Sequence, residues 1–529
     1  MGRPAGQRKT TVCRLLLAGL LAHAGWSPLQ ADGTVLEPLP APAATPATGP
    51  PTAADRVAEQ LATPHEVGAD LNLRAVWNHG LCLESPHRDF RMKVGGRVQI
   101  DTTAFTAGPG PNQPPDQAGL DPPLTGATNF RRGRFRLEGR MYETFDFAAE
   151  YDYINQLTAN NEIFPTETGE GPNVAVTDLW LQVREFPWLG IVRVGNQKDP
   201  FGYEHLITSR WLNFMERSFS MDAFVAPFNL GFVPGIQSLN RTADGRIGWQ
   251  VGIFKNTTNP FGFGDTSGAS ETAGRLVWVP WLEDGGFRLL HLGIAGRTMQ
   301  PRNDVVRFRS RGDIRNGPPG PRNSIYADAG VLSGSWQNML GLELVGNNGP
   351  WSFQAEYFGS WLYDGVTTDL GPLETNGFQP APGTPVGTVF YQGGYAEVLY
   401  FLTGESRSYS TLEYRFGRPI PRSNFYCVRS GGTRGPIHSS PGAWQLGFRY
   451  NYLGLSDGEV NGGVLNAVTI GLNWLLNPNA RVYFNYDLTH RNFTNTPFAK
   501  NAAGDVISVP SADGSGFING FGVRLAFDF

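Results

Sequence analysis

From about Arg91 to the last residue, apolar and polar positions alternate with a period of two. Val94, Val98, Ile100 and Thr102 share one parity; Lys93, Arg97, Gln99 and Asp101 share the other. The next segment sets Phe135, Leu137, Gly139 and Met141 against Arg132, Arg134, Arg136, Glu138 and Arg140. The rule recurs at Phe147–Tyr153, Ile247–Ile253, Phe353–Tyr357, Thr469–Trp474 and Val482–Asp487. Successive side chains of a strand point to opposite faces, so this period predicts strands rather than helices. No segment beyond the first thirty-odd residues has the ~20 apolar residues a membrane-crossing helix needs.

A soluble β-sandwich would alternate in the same way, and three further features separate the two. The polar parity carries paired charges and arginines on strand after strand, which suits one face on water and the other on lipid. Aromatic residues punctuate segment ends at Trp180, Trp278, Trp281, Trp351, Tyr357 and Trp474, where rings settle at membrane interfaces. The chain closes on Phe521, Val523, Leu525, Phe527 and Phe529, all of one parity, as a sheet that must leave no open edge in lipid requires. At ~10 residues per strand plus turns and loops, residues 91–529 hold about sixteen strands. The expected fold is all-β: a closed transmembrane antiparallel β-barrel of about 16 strands with a water-filled lumen.

Ahead of the barrel, Arg3, Arg8, Lys9 and Arg14 precede or flank the apolar run Leu15–Ala22. Residues 1–31 therefore read as a signal peptide, with cleavage after Ala22-His23-Ala24 or Leu29-Gln30-Ala31. Residues 32–64 form a Pro/Ala-rich flexible linker. Residues 65–90 read as a pre-barrel segment that adds an ordered edge near Leu71–Trp77. The formal charge is −4; loss of the leader's four bases and no acids leaves 39 Lys and Arg against 47 Asp and Glu, or −8. Such a balance disfavours nucleic acid as a partner, so any attraction for anions must be local. Cys13 leaves with the leader, and Cys82 and Cys427, the two that remain, could pair in an oxidising compartment but make no disulfide framework.

Catalytic and metal motifs are missing. There is no P-loop, no His-Glu-x-x-His and no Cys-x-x-Cys, and Gly262-Phe-Gly264 lacks a third spaced glycine and a following helix. The histidines are dispersed without ligand spacing. Carboxylates such as Glu167 and Glu170 read as loop charge, and Arg311-Gly312-Asp313 as a chance tripeptide. No enzyme, metal or cofactor is expected.

In order along the chain, Gly95-Gly96-Arg97-Val-Gln-Ile-Asp101, Asn129-Phe-Arg-Arg132, Met215-Glu-Arg217, Leu402-Thr-Gly-Glu405, Gly442-Ala-Trp-Gln-Leu-Gly-Phe-Arg-Tyr450 and Gly471-Leu-Asn-Trp474 occur. Each is weak alone; their succession from about Phe90 to Phe529 closely resembles the phosphate-selective porins O and P. The resemblance implies a sixteen-stranded, usually trimeric outer-membrane porin. It would admit small polar solutes by passive diffusion, with arginines leading phosphate or polyphosphate inward. Carried over by motif, those arginines are Arg97, Arg131, Arg132, Arg307, Arg309, Arg311 and Arg315, with Arg322 a looser match. Guanidinium stays charged and offers a planar fork of donors that matches phosphate oxygens.

The chain also departs from the family. Where a lysine stands at the family's constriction, this chain has His205, largely neutral near pH 7; Lys198 and Arg210 lie near enough in sequence to compensate. An acidic family position falls on Thr177, beside Asp178. Arg134, Arg136 and Arg140, next to Glu138, read as arginines paired with lumenal acids. The expected partners are inorganic anions, outer-membrane lipid and two further copies of the chain. The competing reading is a barrel plugged by its loops, with an adhesive or structural role for the linker.

Overall fold

The computed structural model describes residues 65–529 except 114–118, 121–122, 155–174, 226–230, 257–268, 302–303, 317–322, 369–379, 427, 430–434, 496–497, 501–505 and 509–511. The expected leader and linker, Cys13, Glu167, Glu170, Gly262–Gly264, Arg322 and Cys427 lie outside the described residues.

Sixteen strands make the wall: β1 (Arg91–Ala107), β2 (Thr128–Met141), β3 (Phe145–Asp152), β4 (Ala175–Phe186), β5 (Gly190–Lys198), β6 (Phe232–Arg241), β7 (Ile247–Lys255), β8 (Ser270–Glu283), β9 (Arg288–Met299), β10 (Trp336–Asn348), β11 (Trp351–Thr367), β12 (Pro385–Phe401), β13 (Ala443–Asp457), β14 (Val460–Asn477), β15 (Ala480–Asn492) and β16 (Gly516–Asp528). Each pairs antiparallel with the next. β16 returns to β1 with Ile518 opposite Ala107, Arg524 opposite Asp101 and Asp528 opposite Arg97. Closure pairs every wall strand on both sides, the condition for a sheet to stand in hydrocarbon. Tight turns such as 142–144, 187–189, 349–350 and 478–479 gather at the end that also receives Phe529, the periplasmic end in such barrels.

The wall is inside-out relative to a soluble protein. On β13, Phe448 is 46% exposed while its neighbour Arg449 is fully buried. Leu446, Tyr450, Ile470, Phe521, Leu525 and Phe527 likewise face outward, and Gln445, Asn451, Asn473 and Arg524 inward. Acyl chains accept the first set without loss, and the lumen supplies the partners the second set requires.

Among the interface aromatics, Trp278, Trp281, Trp351 and Tyr357 are exposed on the outer face, and Trp474 stacks on Trp444 with ring centroids 5.0 Å apart. Trp180 is a correction: it faces the lumen with the Arg193 guanidinium 4.2 Å above its ring. It shares the inward parity of Gln182, two residues on, which the residue type alone does not reveal.

A bulge displaces β2. Gln99 pairs with Arg132 but Ile100 pairs with Phe130, so Arg131 is the extra residue. A bulge lets two neighbouring side chains share a face, and both Arg131 and Arg132 are buried inside. Before β1, a hairpin of Arg74–Trp77 and Leu81–Glu84 extends the sheet, with Leu81 opposite Val94 and Glu84 opposite Arg91. It buries Cys82 as a free thiol.

Candidate functional site in the lumen

Among the described residues, three connections leave the wall and fill the lumen. The first, residues 199–231, joins β5 to β6 and carries two short helices, α1 (Tyr203–Leu206) and α2 (Phe219–Phe224). Its apolar side chains Phe201, Tyr203, Phe214, Met215 and Phe219 are buried. The backbone N–H groups of Tyr203 and Glu204, unsatisfied at a helix start, donate to the Glu356 carboxylate of β11 at 2.5 and 2.8 Å. Met215 N–H donates to Asn485 of β15 at 2.8 Å. Arg97 of β1 donates to the Thr208 hydroxyl at 2.8 Å. The loop therefore crosses the bore and is tied to opposite walls.

The second connection joins β9 to β10 and holds an inner hairpin, Val305–Arg311 with Ile325–Ser333, buried along nearly its whole length. Beyond its first strand, Asp313 accepts from Arg449 at 2.9 Å and from Asn451 at 3.1 Å. The Arg-Gly-Asp tripeptide is thus locked inside the barrel. The third, 402–442, joins β12 to β13 at the turn end. It buries Arg407, Tyr414 and Phe416, and Arg415 donates to the Leu206 carbonyl at 3.0 Å.

These segments and β1–β7 enclose a cavity of about 330 Å³. Of the sequence-selected residues, Arg97, Arg131, Arg132, Lys198, His205, Arg210, Arg311 and Arg315 line it. Arg307 and Arg309 sit buried in the inner hairpin, outside that lining.

Most of the arginines have carboxylate partners. Glu216 of the crossing loop takes Arg131 at 2.8 Å, Arg132 at 3.2 Å and Arg524 at 2.6 Å. Burial alone would push its carboxyl up, but Arg131, Arg132 and Arg524 hold it well below the usual carboxylate range. Arg97 meets Glu150 at 2.7 Å, with Arg210 at 3.7 Å from the same carboxylate. Arg311 and Arg315 converge on Asp222 at 3.3 and 3.1 Å, and Arg307 binds Asp328 at 2.6 Å. Arg134, Arg136 and Arg140 pair with Asp152, Asp178 and Asp146 at 2.7, 2.5 and 2.8 Å. Thr177 donates to the Glu150 carbonyl at 3.1 Å.

Four cations of the lining, Lys93, Arg193, Lys198 and Arg217, make no ion pair among the described residues. Lys198 donates to the backbone carbonyls of His205 and Ile207, the latter at 3.2 Å. Arg217 donates to the carbonyls of Glu204 and Ile207 at 3.0 and 2.7 Å. Arg193 spends one N–H on Gln182 at 2.8 Å. His205 is buried with Nε2 3.4 Å from Asp199. Burial lowers its pKa to about 4 against the opposing pull of Asp199. It brings no positive charge at neutral pH.

Sequence reasoning assigned no role to Glu216, Arg217, Arg193, Arg415 or Arg418. Glu216 and Arg217 stood in the Met-Glu-Arg motif, and Arg193 alternates with Val192 and Val194, so both signals were legible. Arg415 and Arg418 lie in an irregular connection with no pattern to mark them.

A closed barrel with an apolar exterior and a narrowed, charged lumen defines a porin of the outer membrane. The chain belongs to the phosphate-selective porin O and P family, whose model matches residues 92–509. It is 28% identical over 467 residues to an uncharacterised protein of Caulobacter vibrioides, covering 85% of this chain and 78% of that one. It is 23% identical over 439 residues to Porin O of Pseudomonas aeruginosa, covering 78% and 86%. Among solved structures it is similar to an anion-selective porin from Comamonas acidovorans, at TM-score 0.45 and 12% identity, covering 83% of this chain and 100% of that one.

Proposed function

We propose that this porin passes small inorganic anions, phosphate or polyphosphate foremost, by diffusion through the lumenal cavity, and that it works as a homotrimer, as the family resemblance implies. The observation that carries the reading is the charge of the lining: fourteen Lys and Arg against six Asp and Glu, in a chain whose total charge is negative. Low-dielectric walls focus that excess along the bore and concentrate anions there. The carboxylates hold most guanidiniums at fixed positions, and Lys198, Arg193 and Arg217 keep donors for a passing anion. The arginine track is read as Arg97, Arg131, Arg132, Arg311 and Arg315 along the cavity, with Arg307 and Arg309 on the hairpin above it.

The three inward segments favour a second reading, a barrel too full to conduct. One measurement separates the two: the reversal potential of the purified protein in a planar bilayer under a potassium chloride gradient, followed by phosphate addition. The anion reading expects a potential near that of chloride and a chloride current reduced by phosphate. A potential near that of potassium refutes it, and silence in the bilayer supports the plugged barrel.

A further inference from the structure

Inorganic phosphate has no use for an aromatic face, yet two tryptophans stand in the wall of this cavity. Trp180 projects from β4 and Trp211 from the crossing loop, both half-buried. Each is associated with guanidinium groups. The Arg193 guanidinium carbon sits over Trp180, 4.2 Å from the ring centroid, and Arg415 and Arg418 lie 6.0 and 5.7 Å from the Trp211 ring. Two features show capacity left for a ligand. Arg193 has no carboxylate partner among the described residues, and its guanidinium retains N–H groups beyond the one given to Gln182. The Trp211 indole N–H is buried and meets no acceptor, a costly state unless something supplies one. The Trp180 indole N–H, by contrast, is already spent on Asp178 at 3.2 Å.

We infer that this part of the lumen is a subsite for organic anions that join a phosphate to an aromatic ring, of the aryl phosphomonoester class. A guanidinium stacked on an indole keeps its edge donors free for phosphate oxygens while its outer plane accepts a second ring. The ligand's phosphate meets the edge of Arg193, its ring lies against the Trp180–Arg193 stack, and Trp211 supplies a donor. A cavity of about 330 Å³ falls in the range that encloses small organic ligands. This inference rests on the anion-channel reading and deepens it: inorganic phosphate uses the hydrogen-bond donors of the lining, and an aryl phosphate uses the aromatic wall as well.

The test is block of chloride current in the bilayer-inserted full chain by inorganic phosphate, methyl phosphate and phenyl phosphate. By analogy with base stacking on aromatic side chains, phenyl phosphate is expected to block about tenfold more tightly than methyl phosphate. In W180L the phenyl-to-methyl ratio is expected to fall to about one, whereas W211F, which removes only the donor, is expected to weaken block by both esters and leave their ratio unchanged. Each ratio is taken within one channel, so a change in folding yield does not enter it. Equal block by the two esters in the unaltered chain overturns the aryl subsite and leaves the anion channel standing. A cation-selective current that no phosphate compound reduces overturns both.

Discussion

At the scale of single residues, one carboxylate organises the constriction. Glu216 joins the crossing loop to β2 and β16 through Arg131, Arg132 and Arg524. Removing one member of a buried ionic cluster is costly because the remaining charges are stranded. Glu216→Gln is therefore expected to lower stability by about 3 kcal/mol, read as an earlier unfolding midpoint in detergent, while making the channel more anion-selective. An unchanged midpoint would show that the loop is held elsewhere. His205 yields a prediction about pH. Its folded pKa of about 4 lies below the ordinary histidine value near 6.5. Between those values the unfolded chain binds the extra proton, so the stability His205 contributes is complete above about pH 6.5 and is lost as pH falls toward 4. Because it stays neutral from pH 5.5 to 8, anion selectivity is expected to be flat across that window. A step in selectivity there that disappears in His205→Gln would contradict this placement.

At the scale of elements, the wall supplies the frame and the inward segments set the bore. The inner hairpin fills space beside β13 and α2, and its Arg311 and the following Arg315 are held by Asp222. Replacing residues 305–333 with a short turn is expected to raise single-channel conductance severalfold and to weaken phosphate block together, since both volume and positive charge leave the lumen. Unchanged conductance would mean that the limiting constriction lies entirely in 199–231 and 402–442. The bulge in β2 works on the same scale. Strict alternation would send Arg131 into lipid, and the extra residue opposite Gln99 and Ile100 turns it inward beside Arg132.

At the scale of the whole molecule, the barrel divides every strand between two solvents. Ile470 on β14 faces out and Thr469 faces in. A lysine on the lipid face near the midplane costs about 2–4 kcal/mol. Ile470→Lys is accordingly expected to shift the guanidinium-chloride unfolding midpoint of the lipid-reconstituted protein downward. No shift would place that face in contact with water or protein instead of acyl chains.

How much of this was written in the chain follows from the range of the forces involved. Alternation is local, so the strand pattern, its two faces and the barrel were legible from Phe135 opposite Arg136 and from the terminal run Phe521–Phe529 alone. Guanidiniums of one parity also signalled a charged lumen. What those guanidiniums touch was not legible, because their partners lie far away in the chain: Arg131 meets Glu216 only once the crossing loop folds into the lumen, and Arg524 meets Asp101 only once closure brings β16 to β1. Nor could residue type place Trp180, since an indole suits a lipid interface and a cation equally well and only strand register decides. The sequence by itself determined a two-faced sheet long enough to close. The tertiary structure decided which charges cancel and which remain to meet an anion, because electrostatic partnership depends on distance in space and not along the chain.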